Sequence, residues 1–472
     1  MKTILWCRQD LRLFDNPALY QAAAAGQILP VYIYPEDLGG ASYWWLHHSL
    51  QAFANSLKQR GISLVLRKGE PAAVLNQLAE QTNADQVFWN RVYSPLGIEQ
   101  AQQVKKTLDS ADVAMQSFNG QLLTEPTRIL TKQGTPFKVF TPFWRHCLAN
   151  LQPDPILEIP KMTAFDSSTK SEELQDWLLL PTKPDWSAGL VERWTPGEDA
   201  AQQRWQTFLE EVITNYKEGR DFPGQDNTSY LSPHLTFGEI SPRQIWFDLQ
   251  QRIASKEIDS TNGYKFLAEI GWREYSRYLL VHFPHIIDEP FNPKFAEFPW
   301  QQRPELLSAW QRGKTGYPIV DAGMRELWHT GYMHNRVRMV TASFLTKHCL
   351  THWREGMDWF WDTLVDADIG SNTASWQWVA GCGADAAPYF RIFNPILQGE
   401  KFDKNGDYIK QWLPELAALP AKFINQPWKA DPETLQLAKL NLGVDYPLPI
   451  VDHAAARAEA LEAYQAIKTA SA

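Results

Sequence analysis

Residues 364–395 read LVDADIGSNTASWQWVAGCGADAAPYFRIFNP. This short span holds two carboxylates (Asp366, Asp368), an amide (Asn372), two tryptophans one residue apart (Trp376, Trp378) and a Gly381-Cys382-Gly383 turn. A core segment of this length is ordinarily aliphatic. Here small residues alternate with acids and aromatics, a composition suited to walling in a large planar ligand with polar edges. The plainer alternative is a well-packed loop between helices. In extended or irregular chain, Asp366 and Asp368 face the same ligand. On a helix, Trp376 and Trp378 point roughly half a turn apart, one inward and one toward a cavity.

Working outward, 472 residues exceed what one core fills, so the chain divides into two or three domains. Its apolar runs, such as Val31 to Tyr34, are far too short to span a membrane. Met1-Lys2 leads straight into the strand-like TILWC with no targeting segment, which makes the expected location cytoplasmic. Cys7, Cys147, Cys349 and Cys382 lack metal-ligand spacing, so neither a zinc site nor a disulfide framework is expected. The net charge of −9 argues against a nucleic-acid partner only if charge is spread evenly, because a groove needs only local basic residues. The 21 tryptophans must be mostly core.

The β-rich runs Thr3 to Cys7, Ile28 to Tyr34, Ile62 to Arg67, Gln86 to Trp89 and Val113 to Phe118 alternate with helical patterns, including Trp45 to Gln59 and Ala72 to Leu78. They predict a doubly wound, five-stranded parallel sheet in residues 1–125. No GxGxxG follows the first strand, so an ordinary dinucleotide site is not expected there. Residues 126–197 are proline-rich, with polar fragments such as 167–171, and read as a connector anchored by apolar pieces like Phe137 to Trp144. Residues 198–472 predict an all-helical domain, with helices at Ala200 to Tyr216, Ser241 to Ile253, Gly263 to Val281, Arg303 to Arg312, Val320 to Thr330, Met333 to Cys349, Asp358 to Val365 and Val451 to Ala472. Gly313-Lys314-Thr315 lacks the upstream glycine of a phosphate loop.

The quoted stretch resembles the VDxDxxxNxxxWQW and RIFNP motifs of the photolyase/cryptochrome family. The resemblance extends to Arg8-Gln9-Asp10-Leu11-Arg12, Thr228-Ser229-Tyr230-Leu231-Ser232, Gly271-Trp272-Arg273-Glu274 and Gln398-Gly399-Glu400-Lys401-Phe402, in family order over nearly the whole chain. It implies an N-terminal antenna-binding domain, a connector and a helical FAD- and DNA-binding domain. Ala41 to His48 resembles the folate-antenna branch, so the implied antenna is a methenyltetrahydrofolate-type folate, with deazaflavin as the alternative. Read as residues, the adjacent Trp44 and Trp45 are more simply core than a pterin platform.

The resemblance further implies that Tyr216, Thr228, Ser229, Tyr230, Leu231, Ser232, Arg338, Asp366, Ala367, Asp368 and Asn372 hold FAD. A pair between Arg338 and Asp366 is expected. Hydroxyls at 228–232 suit a diphosphate, although an N-cap for the next helix explains them equally. Asn372 is uncharged and can donate or accept at flavin N5; cryptochromes of plants and insects carry Asp or Cys there. Trp376, Trp353 and Trp300 are the implied electron chain. Glu269, Trp272 and Ser276 share one helix face, as do Asn335 and Met339; with Trp378 they would line the pocket for a cyclobutane pyrimidine dimer. Glu269 is expected to act as a neutral acid on the lesion. Arg220, Arg273, Arg336 and Gln398 are the implied further contacts to DNA. His334 is followed by Asn335, which lacks the second histidine of (6-4) photolyases. The expected activity is repair of UV-damaged DNA by a monomer, with a signalling cryptochrome as the alternative.

Overall fold

The computed structural model describes residues 1–165 and 169–469. Parts of two expectations, the polar fragment at 167–171 and the end of the last helix, lie outside the described residues. Five strands, β1 (Lys2–Cys7), β2 (Gln27–Ile33), β3 (Val65–Arg67), β4 (Gln86–Asn90) and β5 (Ala114–Phe118), form a parallel sheet in the order β3-β2-β1-β4-β5. Its central strands are buried on both faces, which is why they read as unbroken apolar runs. Helices α1 (Pro17–Ala25), α2 (Gly40–Lys58), α3 (Pro71–Thr82) and α4 (Pro95–Ser110) cover the sheet. Trp44 and Trp45 are both buried in α2, and the Trp45 indole donates to Glu239 at 3.0 Å. They are core at a domain contact, not a platform.

The strand predicted from Ile62 begins only at Val65. A two-residue strand that sequence reading did not anticipate, β6 (Thr163–Ala164), pairs with β2. The connector therefore touches both domains. Its helix α5 (Phe140–Asn150) packs on the long helix α6 (Ser260–His282), and it then returns to the sheet edge at β6.

Beyond the connector the described chain is helical. The helices that matter below are α6, α7 (Pro318–Thr330), α8 (Asn335–Ser343), α9 (Trp353–Thr363), α10 (Ile369–Ala380) and the C-terminal α11 (His453–Thr469). The pattern from Met333 to Cys349 is an α-helix followed by a π-helical turn, Phe344–His348. The 364–380 part of the quoted stretch is a short turn entering a helix, with Asp368 as its N-cap accepting from Ser371 N at 2.8 Å. Arg12 locks the two domains together: its buried guanidinium donates to Gly238 O at 2.8 Å and Gly120 O at 2.6 Å. Nearby, Arg243 pairs with Asp15 at 2.7 Å, both buried. No described helix is long and apolar enough to cross a membrane.

Candidate functional site

A cavity of about 510 Å³ opens in the helical domain, lined by α6, α8, α10 and the 228–232 turn. Every residue expected to hold the cofactor lines it, from Tyr216 and the 228–232 turn to Arg338, Asp366, Ala367, Asp368 and Asn372. Glu269, Trp272, Ser276, Asn335, Met339, Trp376 and Trp378 line it too. Helical spacing explains the grouping on α6, because positions i, i+3 and i+7 share a face.

Two carboxylate–guanidinium pairs enter the cavity wall. Asp366 accepts from Arg338 at 2.8 Å and from the Ser232 hydroxyl at 2.6 Å. Asp368 accepts from Arg277 at 2.9 Å. Burial alone would raise the Asp368 carboxyl, but Arg277 and the Ser371 amide outweigh it and hold the group below its ordinary range. Each of the two negative charges in the wall is thereby matched by a cation. Ser232, expected to face a diphosphate, instead spends its hydroxyl on Asp366 as it starts a short helix. Asn372 is fixed by its amide nitrogen, which donates to Met357 O at 2.9 Å. Its carbonyl oxygen is thus the group left to meet a ligand.

Glu269, expected to act as a neutral acid on the lesion, has cationic neighbours. It pairs with Arg220 and, at 3.2 Å, with Lys265, so its carboxylate sits between two cations. Arg336 pairs with Asp221 at 2.9 Å and lies over the Phe402 ring at 4.4 Å. Gln398, on the helix Pro395–Phe402, lies outside the cavity lining. His334 is pushed down to about 4 by burial and caps α8 as a neutral imidazole.

Arg273 needs correction. It too lines the cavity, but its largely buried guanidinium donates to Gln121 O at 2.7 Å and Leu235 O at 3.3 Å and lies 3.5 Å from Glu274, so most of its donors are spent inside the fold rather than on a phosphate. All four residues of Gly271-Trp272-Arg273-Glu274 hold the segment that leaves the sheet. Glu274 accepts from Leu123 N at 2.9 Å, Trp272 stacks on Phe140, and Gly271 leaves room for Trp144.

The three rings of the implied electron chain belong to one apolar cluster. Trp376 and Trp353 are 2% and 1% exposed, and Trp300 is part-buried on the same cluster. His352 stands between Trp300 and Trp353, at 5.2 and 5.4 Å from their ring centres. Trp376 lies on Gly356 of α9. Sequence reading missed His352, the cavity residues Lys265, Tyr332 and Phe360, and the pairing of Arg277 with Asp368. A signal existed for Arg277, one residue past Ser276 and one turn past Arg273 on α6.

A second cavity, about 370 Å³, lies at the carboxyl ends of β1, β2 and β4, where the strand order reverses. Trp6, Tyr32, Tyr34, Tyr93, Trp361 and Arg8 are among its walls, and Ala367, Asp368 and Arg277 are shared with the first cavity.

A family model described as FAD binding domain of DNA photolyase matches residues 266–466, and one described as DNA photolyase matches residues 3–162. The chain is 50% identical to the deoxyribodipyrimidine photo-lyase of Agrobacterium fabrum, covering 98% of each chain. It is similar to the crystal structure of a bacterial class III photolyase from Agrobacterium tumefaciens, with a TM-score of 0.96 and 50% identity over 99% of this chain and 98% of that one. It is also 38% identical to Cryptochrome-1 of Arabidopsis thaliana, over 99% of this chain and 71% of that one. The cavity suits FAD. Thr228 Oγ1 and Arg277 Nη1 are buried in its lining without hydrogen-bond partners, as donors awaiting an oxygen-rich ligand would be.

Proposed function

Because the chain belongs to the DNA photolyase and cryptochrome family, we infer that it is a deoxyribodipyrimidine photo-lyase, which repairs cyclobutane pyrimidine dimers in DNA under light. The observation that carries this reading is the single cavity in which Glu269, Trp272, Ser276, Asn335, Met339 and Trp378 meet the paired acids Asp366 and Asp368.

FAD would be held by Tyr216, Thr228, Ser229, the 230–232 backbone, Arg338, Asp366, Ala367, Asp368 and Asn372. Reduced FAD, when bound and excited by light, supplies the electron that opens the cyclobutane ring. The protein's part is to bind, orient and exclude water. The dimer leaves the duplex to reach the cavity, as photolyase substrates do. There Trp272 and Trp378 stack against it, and Met339 fills the apolar edge. Glu269, held by Arg220 and Lys265, aligns with the polar edge and brings cations to any negative charge that develops. Arg336, at the start of α8, takes a phosphate. The Asp366–Arg338 and Asp368–Arg277 pairs keep the local field close to neutral, so neither carboxylate opposes a negative charge in the cavity.

Trp376, Trp353 and Trp300 form the path by which an electron enters from the surface. Indole is the readily oxidised choice, and His352 keeps the outer rings in file. The second cavity is our candidate antenna site for a folate-type chromophore. Its aromatic walls suit a planar ligand, and its shared wall with the first cavity brings the two chromophores near each other. Chromophore released from purified protein would read as folate; a deazaflavin spectrum would reassign it.

The deciding experiment mixes reduced protein with an oligothymidine carrying cyclobutane dimers, illuminates it with blue light and follows recovery of thymine absorbance against a dark control. Light-dependent recovery is expected. Absence of recovery with FAD bound and reduced would favour the second reading, a blue-light receptor without repair, which the likeness to Cryptochrome-1 supports.

A further inference from the structure

The connector reaches the lesion cavity from behind. The Phe140 ring lies on Trp272 with centroids 3.7 Å apart and planes 9° apart. Trp272 lines the cavity and Phe140 does not, so one face of the indole is backed and the other is offered to a ligand. Trp144 continues the column, 6.3 Å from Phe140 and 12° from parallel.

This overlap calls for a constraint, because free aromatic pairs prefer offset or edge-on arrangements at roughly 4.5–7 Å. Two constraints are present. The Phe140 amide donates to Asp385 Oδ2 at 3.0 Å. One turn on, Trp144 packs so tightly over Gly271 that a Cβ there would lie 2.6 Å from the indole. Asp385 belongs to the loop after α10, at φ 52°, and its neighbour Ala384 lines the cavity. One residue of the connector thus touches a cavity-lining residue through its ring and, through its amide, the chain neighbour of another.

We propose that Phe140 is a positioning residue for lesion recognition: it fixes the plane of Trp272 and the placement of the 384–385 rim, so the stacking surface is set before the dimer arrives. The inference rests on the photolyase reading above. An indole left unbacked swings about its broad outer torsion and must be immobilised when ligand binds. The loss falls on the flipped dimer that stacks there, and leaves undamaged DNA, held at the backbone, unaffected.

The test uses the full-length, FAD-loaded protein. Dissociation constants are measured in the dark for an oligothymidine with one cyclobutane dimer and for the same strand undamaged. Repair per absorbed photon, FAD content and the unfolding midpoint are followed alongside. Phe140→Leu keeps an apolar filler and removes the ring, and we expect dimer binding to weaken about threefold to tenfold, the span of fixing one such side chain. Binding to the undamaged strand should stay within about twofold on the same scale, and Phe140→Tyr should restore selectivity. Equal weakening on both strands, or no change in their ratio, overturns the proposal. If Phe140→Leu does not hold FAD, Asp385→Ala releases the amide without touching the ring. A reduced dimer-to-undamaged ratio there supports the proposal and an unchanged ratio overturns it. Failure of the parent protein to repair dimers would sink the photolyase reading; a repairing parent with undiminished selectivity in Phe140→Leu sinks only the role of Phe140.

Discussion

Gly356→Ala tests whether Trp376 carries electrons inward. A Cβ at position 356 would lie 2.0, 2.4 and 2.6 Å from Trp376 Cη2, Cζ3 and Cζ2. Ordinary carbon contacts begin near 3.5 Å, so the ring must retreat by about 1.5 Å. Retreat is hindered, because Trp376 is 2% exposed and is edged by Phe360 at 5.0 Å and Trp310 at 6.1 Å. The open direction is toward the cavity that Trp376 lines. Alanine in a helix would normally gain about 0.5–1 kcal/mol over glycine. Overpacking costs about 1–3 kcal/mol, so the clash wins and the variant should be net destabilised by about 1–2 kcal/mol. The functional expectation is sharper. Light-driven reduction of oxidised FAD by an external reductant should slow, since the one ring of the implied chain that lines the cavity has been displaced. Repair by the fraction of protein that retains FAD and is reduced chemically in the dark should persist, because that route bypasses the tryptophans. Photoreduction at the parental rate, in a variant whose lower unfolding midpoint proves the clash, would refute the assignment of Trp376.

Asn372→Asp places a carboxylate oxygen against Met357 O, where an amide now donates at 2.9 Å. Loss of about 1–3 kcal/mol and easier release of FAD should follow, read by denaturant unfolding and flavin absorbance. Glu326 is half-buried, accepts from Tyr408 OH at 2.5 Å and is raised from 4.5 to about 7 by desolvation. Because the folded state keeps this proton longer than the unfolded chain, its stabilising contribution is full below about 4.5 and is lost as pH rises through about 7. The full loss is on the order of 3 kcal/mol. Glu274, also raised to about 7 by burial, acts in the same window. Glu326→Gln retains the acceptor and cannot ionise, so its urea midpoint should fall less than the parent's between pH 5 and 8; equal falls would refute the linkage. Arg336→Ala should weaken damaged and undamaged DNA alike and lower the salt slope by about 1 or somewhat less, since Asp221 already competes for this cation. A selective loss of dimer binding would instead place Arg336 at the lesion.

What was legible in the sequence follows from where the information lies along the chain. The five sheet strands and the face of α6 bearing Glu269, Trp272 and Ser276 were readable because burial on two faces, or on one stripe, imprints a local period. The 228–232 turn and the 364–380 motif were readable because their residues reach one ligand from adjacent positions. Two-residue β6 carries no period at all; it exists because the connector passes the free side of β2. Arg273 misled because a cation beside other cations on α6 looks like a phosphate contact, and only the fold reveals two carbonyls, at positions 121 and 235, waiting for it. Ser232 was ambiguous between ligand and cap, and the structure gives it a third use, bridging the turn to Asp366. The role of Phe140 was hidden for the same reason taken further, although the piece Phe137 to Trp144 reads as an anchor. Its partners, Trp272 and Asp385, are more than a hundred positions away, and nothing about a phenylalanine in a proline-rich connector distinguishes a core anchor from the back of a binding wall. Yet Gly271-Trp272-Arg273-Glu274 did carry the clue. Four successive residues facing different directions on one helix cannot all meet one ligand, so most of them must hold protein, and what they hold is the segment from Gln121 to Trp144 that closes the cavity from behind.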